Sequence, residues 1–164
     1  MTPDDIAKVL DLPLARELLS GDIPVRLAYT AKDGTPRVIP IGFLWTGTAI
    51  VVCTVTISAK VEALAVNPAV ALTIDTNEYP PKILLIRGTA EMETVDGIPD
   101  EYVTMSYRFV AEDQCEAWLA EVTSLYEQMV RITITPTWAK VIDFETTLPS
   151  AVEELARRRE AAQA

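Results

Sequence analysis

The residues whose types and spacing carry the most chemistry are Thr54, Thr56, Ser58 and Lys60, in the run T-V-T-I-S-A-K-V-E-A-L-A-V-N. From Ile41 to Pro81, Lys60 is the one basic residue. Ser58 reads as the N-cap of a short helix, with Val61, Leu64 and Ala65 on its buried face. A cation in that first turn lies at the wrong end of the helix dipole and costs a few tenths of a kcal/mol unless an anion is near. A bound phosphate would reverse the sign, because helix N–H groups, hydroxyls and an ammonium would converge on it. The same residues also fit an exposed surface lysine beside ordinary strand and cap hydroxyls.

Other chemistries are excluded by what the chain lacks. Its 164 residues include no histidine. That removes histidine-based general catalysis, Ser-His-Asp triads and most imidazole ligation of zinc or haem. No metal is expected, and no pattern marks a catalytic residue. Cys53 and Cys115 each sit in an apolar pattern and read as buried free thiols of a reducing compartment. The net charge of −10 argues against nucleic acid and anionic membrane as partners. The basic run Arg157, Arg158, Arg159 falls in an Ala- and Glu-rich terminal helix and reads as a solvated face. The N-terminus does not resemble a signal peptide and no apolar run is long enough to span a bilayer, so the expected location is cytoplasmic.

These residues need elements to hold them. Asp4 to Leu10 and Pro13 to Leu19 read as two short helices broken at Leu12-Pro13. Val25 to Ala31 is the first strand, and Asp33-Gly34 turns into the next. Arg37 to Trp45 is apolar on both parities, which suits a strand buried on both faces. Gly47 sits in a tight turn, and Thr48 to Val55 is dense in β-branched residues. After the Lys60 helix, Asn67-Pro68 is a stop, and Ala69 to Asp75 is a fourth strand. Thr76 to Lys82 is a loop stiffened by two prolines. Ile83 to Val95 is a long fifth strand whose second half alternates. Ile98 to Phe109 and Asp113 to Gln128 read as helices. The second carries Cys115, Trp118, Leu119, Val122, Leu125 and Tyr126 at amphipathic spacing. Val130 to Thr135 is a sixth strand, Pro136 a corner, Trp138 to Phe144 the last strand, and Thr147 to Gln163 a helix. The expectation is a single domain over residues 1–164, with a helical lead-in at 1–24 and a C-terminal helix at 148–164. Its class is mainly β with peripheral helices, in a closed or nearly closed antiparallel barrel.

In this order the chain resembles the pyridoxamine 5′-phosphate oxidase-like family of flavin-binding split barrels. The resemblance is carried by G-T-P-R-V-I-P-I-G-F-L-W (Gly34 to Trp45), T-I-S-A-K-V-E-A-L-A-V-N-P (Thr56 to Pro68), A-V-A-L-T-I-D (Ala69 to Asp75) and I-R-G-T-A-E (Ile86 to Glu91). It covers roughly Val25 to Phe144. It implies an antiparallel split β-barrel and a homodimer with two cofactor sites at the subunit interface. The implied cofactor is FMN, or a deazaflavin in one branch. The positions matching the flavin-binding segments are Arg37, Val38, Ile39 and Pro40, then Cys53, Thr54, Val55, Ser58 and Lys60. By the resemblance, Ser58 and Lys60 hold the phosphate and the backbone from Val38 to Pro40 faces the ring. Two departures stand out. Ala59 replaces the arginine of the family's frequent Ser-Arg-Lys run, so one phosphate cation is missing. The Arg-Leu-x-Pro ending that contacts substrate in genuine pyridoxamine phosphate oxidases is also absent, which argues against that vitamin-salvage activity.

The functional expectation is an FMN-binding oxidoreductase acting on a small hydrophobic substrate. The alternatives are a deazaflavin-dependent reductase, a non-enzymatic carrier of flavin or tetrapyrrole, and a dimer that has lost its cofactor. In an enzyme of this kind the cofactor supplies the hydride chemistry, and the protein supplies orientation and a dry pocket. Tyr79, Trp138 and Phe144 are candidates to line that pocket, and each also suits core or dimer packing.

Overall fold

A computed structural model describes residues 1–146 and 148–163. Thr147 and Ala164, at the ends of the expected C-terminal helix, lie outside the described residues. The chain begins with helices α1 (Pro3–Leu10) and α2 (Pro13–Ser20). Strands β1 (Val25–Thr30), β2 (Pro36–Ile41), β3 (Leu44–Trp45) and β4 (Ile50–Val55) lead to helix α3 (Ala59–Val66). Strands β5 (Ala69–Asp75) and β6 (Lys82–Asp96) precede helices α4 (Asp100–Phe109) and α5 (Glu112–Leu125). Strand β7 (Gln128–Asp143) and helix α6 (Ser150–Gln163) complete the order.

Local signals account for most of these boundaries. Thr2 and Asp5 form a reciprocal capping box ahead of Pro3, and Pro13 opens α2 where its missing N–H costs nothing. The β1–β2 turn needs Gly34, whose φ is +80°. All seven strands lie in one antiparallel sheet in the order β2-β1-β5-β6-β7-β4-β3.

That order dictates the shape. Seven strands side by side would hold their outer members about 29 Å apart in a flat sheet, at about 4.8 Å per gap. Yet β2 and β3, the two borders, are joined only by Gly42 and Phe43. Three backbone steps from Ile41 to Leu44 reach at most about 11 Å. The sheet therefore curls until its borders meet, with a covalent seam in place of a hydrogen-bonded one. This is a split barrel, open along that seam. Phe43 is fully buried, and Leu27, Ile50, Val52, Ile74, Leu84, Ile86, Ile132 and Ile134 fill the same core. Arg108 of α4 latches the seam, donating to the carbonyls of Gly21 and Phe43 with its guanidinium 4.5 Å from the Phe43 ring centre.

Several expectations are corrected here. The stretch from Arg37 to Trp45 is two strands rather than one, and β2 is a border strand that is mostly exposed rather than buried on both faces. Ile39 and Ile41 are half-buried against the core, while Val38, on the other face, is exposed. Pro136 is no corner: β7 runs straight through it, and the irregularity is a register shift opposite Arg87 and Gly88. In α3, Ala63 and Leu64 are buried and Ala65 is exposed. In α5, Cys115 and Val122 are buried, while Trp118 and Leu125 are exposed. Among the described residues no helix is long and apolar enough to cross a membrane.

Candidate functional site

β4 carries Thr54 to the edge of the barrel core, and the turn after it brings Ser58 and Lys60 back over Thr54. The Lys60 ammonium donates to Thr54 Oγ1 at 2.8 Å and to Ser58 Oγ at 2.7 Å. Ser58 occupies the N-cap position of α3, but its side chain makes no capping bond and accepts from Lys60 instead. Half-burial pulls the Lys60 pKa below its ordinary 10.5, because desolvation disfavours the ammonium. Among the described residues no carboxylate forms an ion pair with Lys60. An ammonium has three N–H donors, and the two hydroxyls take two of them. The N–H groups of Ala59 and Lys60, at the start of α3, also lack partners within the protein among the described residues. The result is a desolvated cation with one free donor at a helix start, a geometry that accepts an anion.

The other expected residues fall in three places. Arg37 is exposed on β2, where its guanidinium pairs with Asp33 at 3.2 Å. Val38, Ile39 and Pro40 follow it on the same border strand, and Val38 is 65% exposed. Cys53 and Val55 flank Thr54 on β4, facing helices α4 and α5. Burial pushes the Cys53 thiol up to about 12, with the nearby Glu101 charge adding to the rise. Neither of the two cavities described below is lined by Tyr79, Trp138 or Phe144. Tyr79 stands in solvent at 97% exposure, Phe144 is exposed just past β7, and Trp138 lies under Arg87, 4.6 Å from its guanidinium carbon.

Two cavities matter. One, of about 800 Å³, opens between α1, the β3–β4 turn and Pro136, away from Lys60. The other, of about 190 Å³, shares Thr54 with the Lys60 cluster. Its walls include Cys53, Tyr102, Trp118, Tyr126 and Met129. The sequence reading gave no role to Tyr102 or Met129 and treated Trp118 and Tyr126 only as parts of an amphipathic stripe. The spacing Trp118, Val122, Tyr126 put all three on one helix face; what the sequence could not show is that this face looks at the end of β4.

Comparison with known proteins gives these positions a context. The sequence profile described as pyridoxamine 5′-phosphate oxidase matches residues 13–140. The chain belongs to that family. The matched span holds every candidate cofactor-binding residue from Arg37 to Lys60 and stops short of Phe144. No curated protein matched the chain. Among solved structures, the chain is similar to one titled "F420 Reductase", with 25% identity and a TM-score of 0.54 over 76% of this chain and 94% of that one. It is also similar to HutZ, the haem-storage protein of Vibrio cholerae, with 19% identity and a TM-score of 0.58 over 79% of this chain and 93% of that one. General Stress Protein 26 of Bacillus anthracis aligns with 19% identity and a TM-score of 0.56 over 86% of this chain and 93% of that one. The latter two likenesses speak to the fold alone. All three extend over most of both chains, which supports the split barrel as the frame on which members of the pyridoxamine 5′-phosphate oxidase family are built.

Proposed function

We propose that this chain is an FMN-dependent oxidoreductase that holds the cofactor's phosphate at Lys60, acts on a small molecule and works as a homodimer in a reducing compartment. One observation carries the reading: Lys60 is half-buried, answered by no carboxylate among the described residues, and fixed by two hydroxyls that leave one N–H to donate. A lysine held in place loses little rotamer entropy when the anion arrives, so the site is organised before binding. The Thr54 and Ser58 oxygens accept from Lys60, which leaves their own O–H groups to donate to phosphate oxygens. The border of β2 supports the ring position, because one backbone edge of residues 36–41 has no strand partner among the described residues. Arg37 would have to leave Asp33 to join the site. The free, buried thiols of Cys53 and Cys115 fit a reducing compartment. When bound, the flavin supplies hydride transfer; the chain supplies the anion grip, the orientation and a wall against water.

A second reading, with a deazaflavin in place of FMN, is favoured by the likeness to the F420 reductase. Parallel titrations of FMN and a deazaflavin against the wild type and Lys60→Ala separate the two. The expected result is binding of one cofactor to the wild type, its loss in Lys60→Ala, and turnover with a nicotinamide or with reduced deazaflavin. Equal binding to both proteins overturns the phosphate assignment, and no binding of either cofactor to the wild type at millimolar concentration replaces it with a cofactor-free dimer.

A further inference from the structure

We propose that the smaller cavity, beside Thr54, is a binding site for an uncharged aromatic molecule of one ring, and that Trp118 sets the size limit of what enters. Four observations converge on that ligand class. The cavity measures about 190 Å³; cavities of about 150 Å³ hold a benzene ring, so one ring fits and two fused rings are crowded. No charged side chain lines it, so its walls offer a charged occupant no counter-ion. Tyr102, Trp118 and Tyr126 offer ring faces and edges, and Met129 offers a polarisable sulfur. Finally, the hydroxyls of Tyr102 and Tyr126 donate to no group of the protein among the described residues. Burial raises the Tyr102 pKa, so that hydroxyl keeps its proton and can donate to an acceptor on the ring.

Trp118 is the outer wall. It lines the cavity while remaining 43% exposed, so its indole stands between the cavity and water. The opposite wall is the buried strand pair β4–β7, where Cys53 and Met129 are 5% and 2% exposed. Trp118 is the most exposed of the lining residues, so truncating it gives a larger ligand room without opening the core. The neighbouring Thr54 oxygen is the one Lys60 donates to, which places this compartment against the anion site. Its role as a substrate compartment rests on the flavin reading above; its occupancy by a ring does not.

The test is isothermal titration of phenol and 2-naphthol, without cofactor, against the wild type, Trp118→Ala, Val122→Phe and Lys60→Ala. Phenol should bind the wild type, with 2-naphthol weaker by about tenfold or more. Trp118→Ala, at a half-exposed position that tolerates truncation, should bind 2-naphthol about tenfold tighter than the wild type does. Val122→Phe fills the cavity and should abolish phenol binding; a thermal melt shows whether it still folds, and if it does not, Trp118→Ala decides alone. Lys60→Ala should leave phenol binding unchanged, so a protein that loses FMN but keeps phenol retains this site, and one that keeps phenol but never binds FMN sinks only the flavin reading. The proposal is overturned if phenol does not bind the wild type at millimolar concentration. It is equally overturned if Trp118→Ala leaves the preference for phenol intact, or if Lys60→Ala abolishes phenol binding.

Discussion

Lys60 links charge to pH in a direction that can be checked. Desolvation holds its free-state pKa below 10.5, and a bound phosphate would raise it again by stabilising the ammonium. The bound form then holds the proton more tightly than the free form. Affinity is therefore full below the free-state value and is lost as pH rises through it, so the decline should begin below pH 10.5. Fluorescence titrations of FMN from neutral to alkaline pH should show this fall, and a Lys60→Arg variant that still binds should not, since a guanidinium stays charged there. A flat wild-type profile would remove Lys60 from the phosphate. Ala59 makes the complementary case. It is exposed at the first position of α3, so Ala59→Arg adds a cation without disturbing the core. One charge-assisted hydrogen bond is worth about 1.5–3 kcal/mol, so FMN affinity should rise roughly ten- to hundredfold. No gain in that variant would mean that the missing arginine is not what limits binding. The residue types and spacing around Lys60 were readable in advance because a single cation in a long stretch without other cations is a local signal. Ser58 holds the N-cap position that the local pattern gives it, but only the return of the chain over Thr54 shows that its hydroxyl accepts from the half-buried Lys60 ammonium instead of capping the helix.

The elements show where local pattern stops informing. β2 alternates poorly because both its faces are apolar, and the sequence alone reads that as burial within the chain. The structure places it at a border with Val38 exposed, and leaves Ile57 at 92% and Val66 at 76% exposure. Pro36 and Pro40 lack the N–H groups needed to extend the sheet. A second copy would therefore pack on side chains and not by adding strands. Sedimentation should find a dimer at micromolar concentration, and Val38→Glu should shift it to monomer while preserving the circular dichroism spectrum; a monomeric wild type counts against the homodimer. The β6–β7 pair was half legible. Its alternation was plain, but Pro136 looked like an end because proline usually leaves a ladder. The register shift at Gly88 absorbs it instead. A Cβ built there would sit 2.7 Å from both Ile134 Cγ2 and the Thr135 carbonyl oxygen. Gly88→Ala should thus cost about 1–3 kcal/mol in urea denaturation. A midpoint equal to wild type would mean that the bulge opens freely.

At the scale of the molecule, the class of fold could be read from strand order and helix placement, but the closure could not. It depends on which strands become borders, and that is settled by pairings such as Val52 with Ile132, far apart in the chain. The seam at Gly42 and Phe43 has a kinetic consequence. β1 and β2 can pair as a local hairpin as soon as both exist. β4 must wait for β7, which lies beyond β5, β6, α4 and α5. Closing so long a loop is entropically costly and slow. The seam keeps β4 tethered to the early hairpin during that wait, and Phe43 begins the search already beside the apolar residues it will be buried with. Attachment of β4 to β7 is then the last large step of folding, and its release the first of unfolding. Amide hydrogens along β4 should exchange ahead of those shared by β5 and β6, so the strand that carries Thr54 towards Lys60 is the one the barrel lets go first.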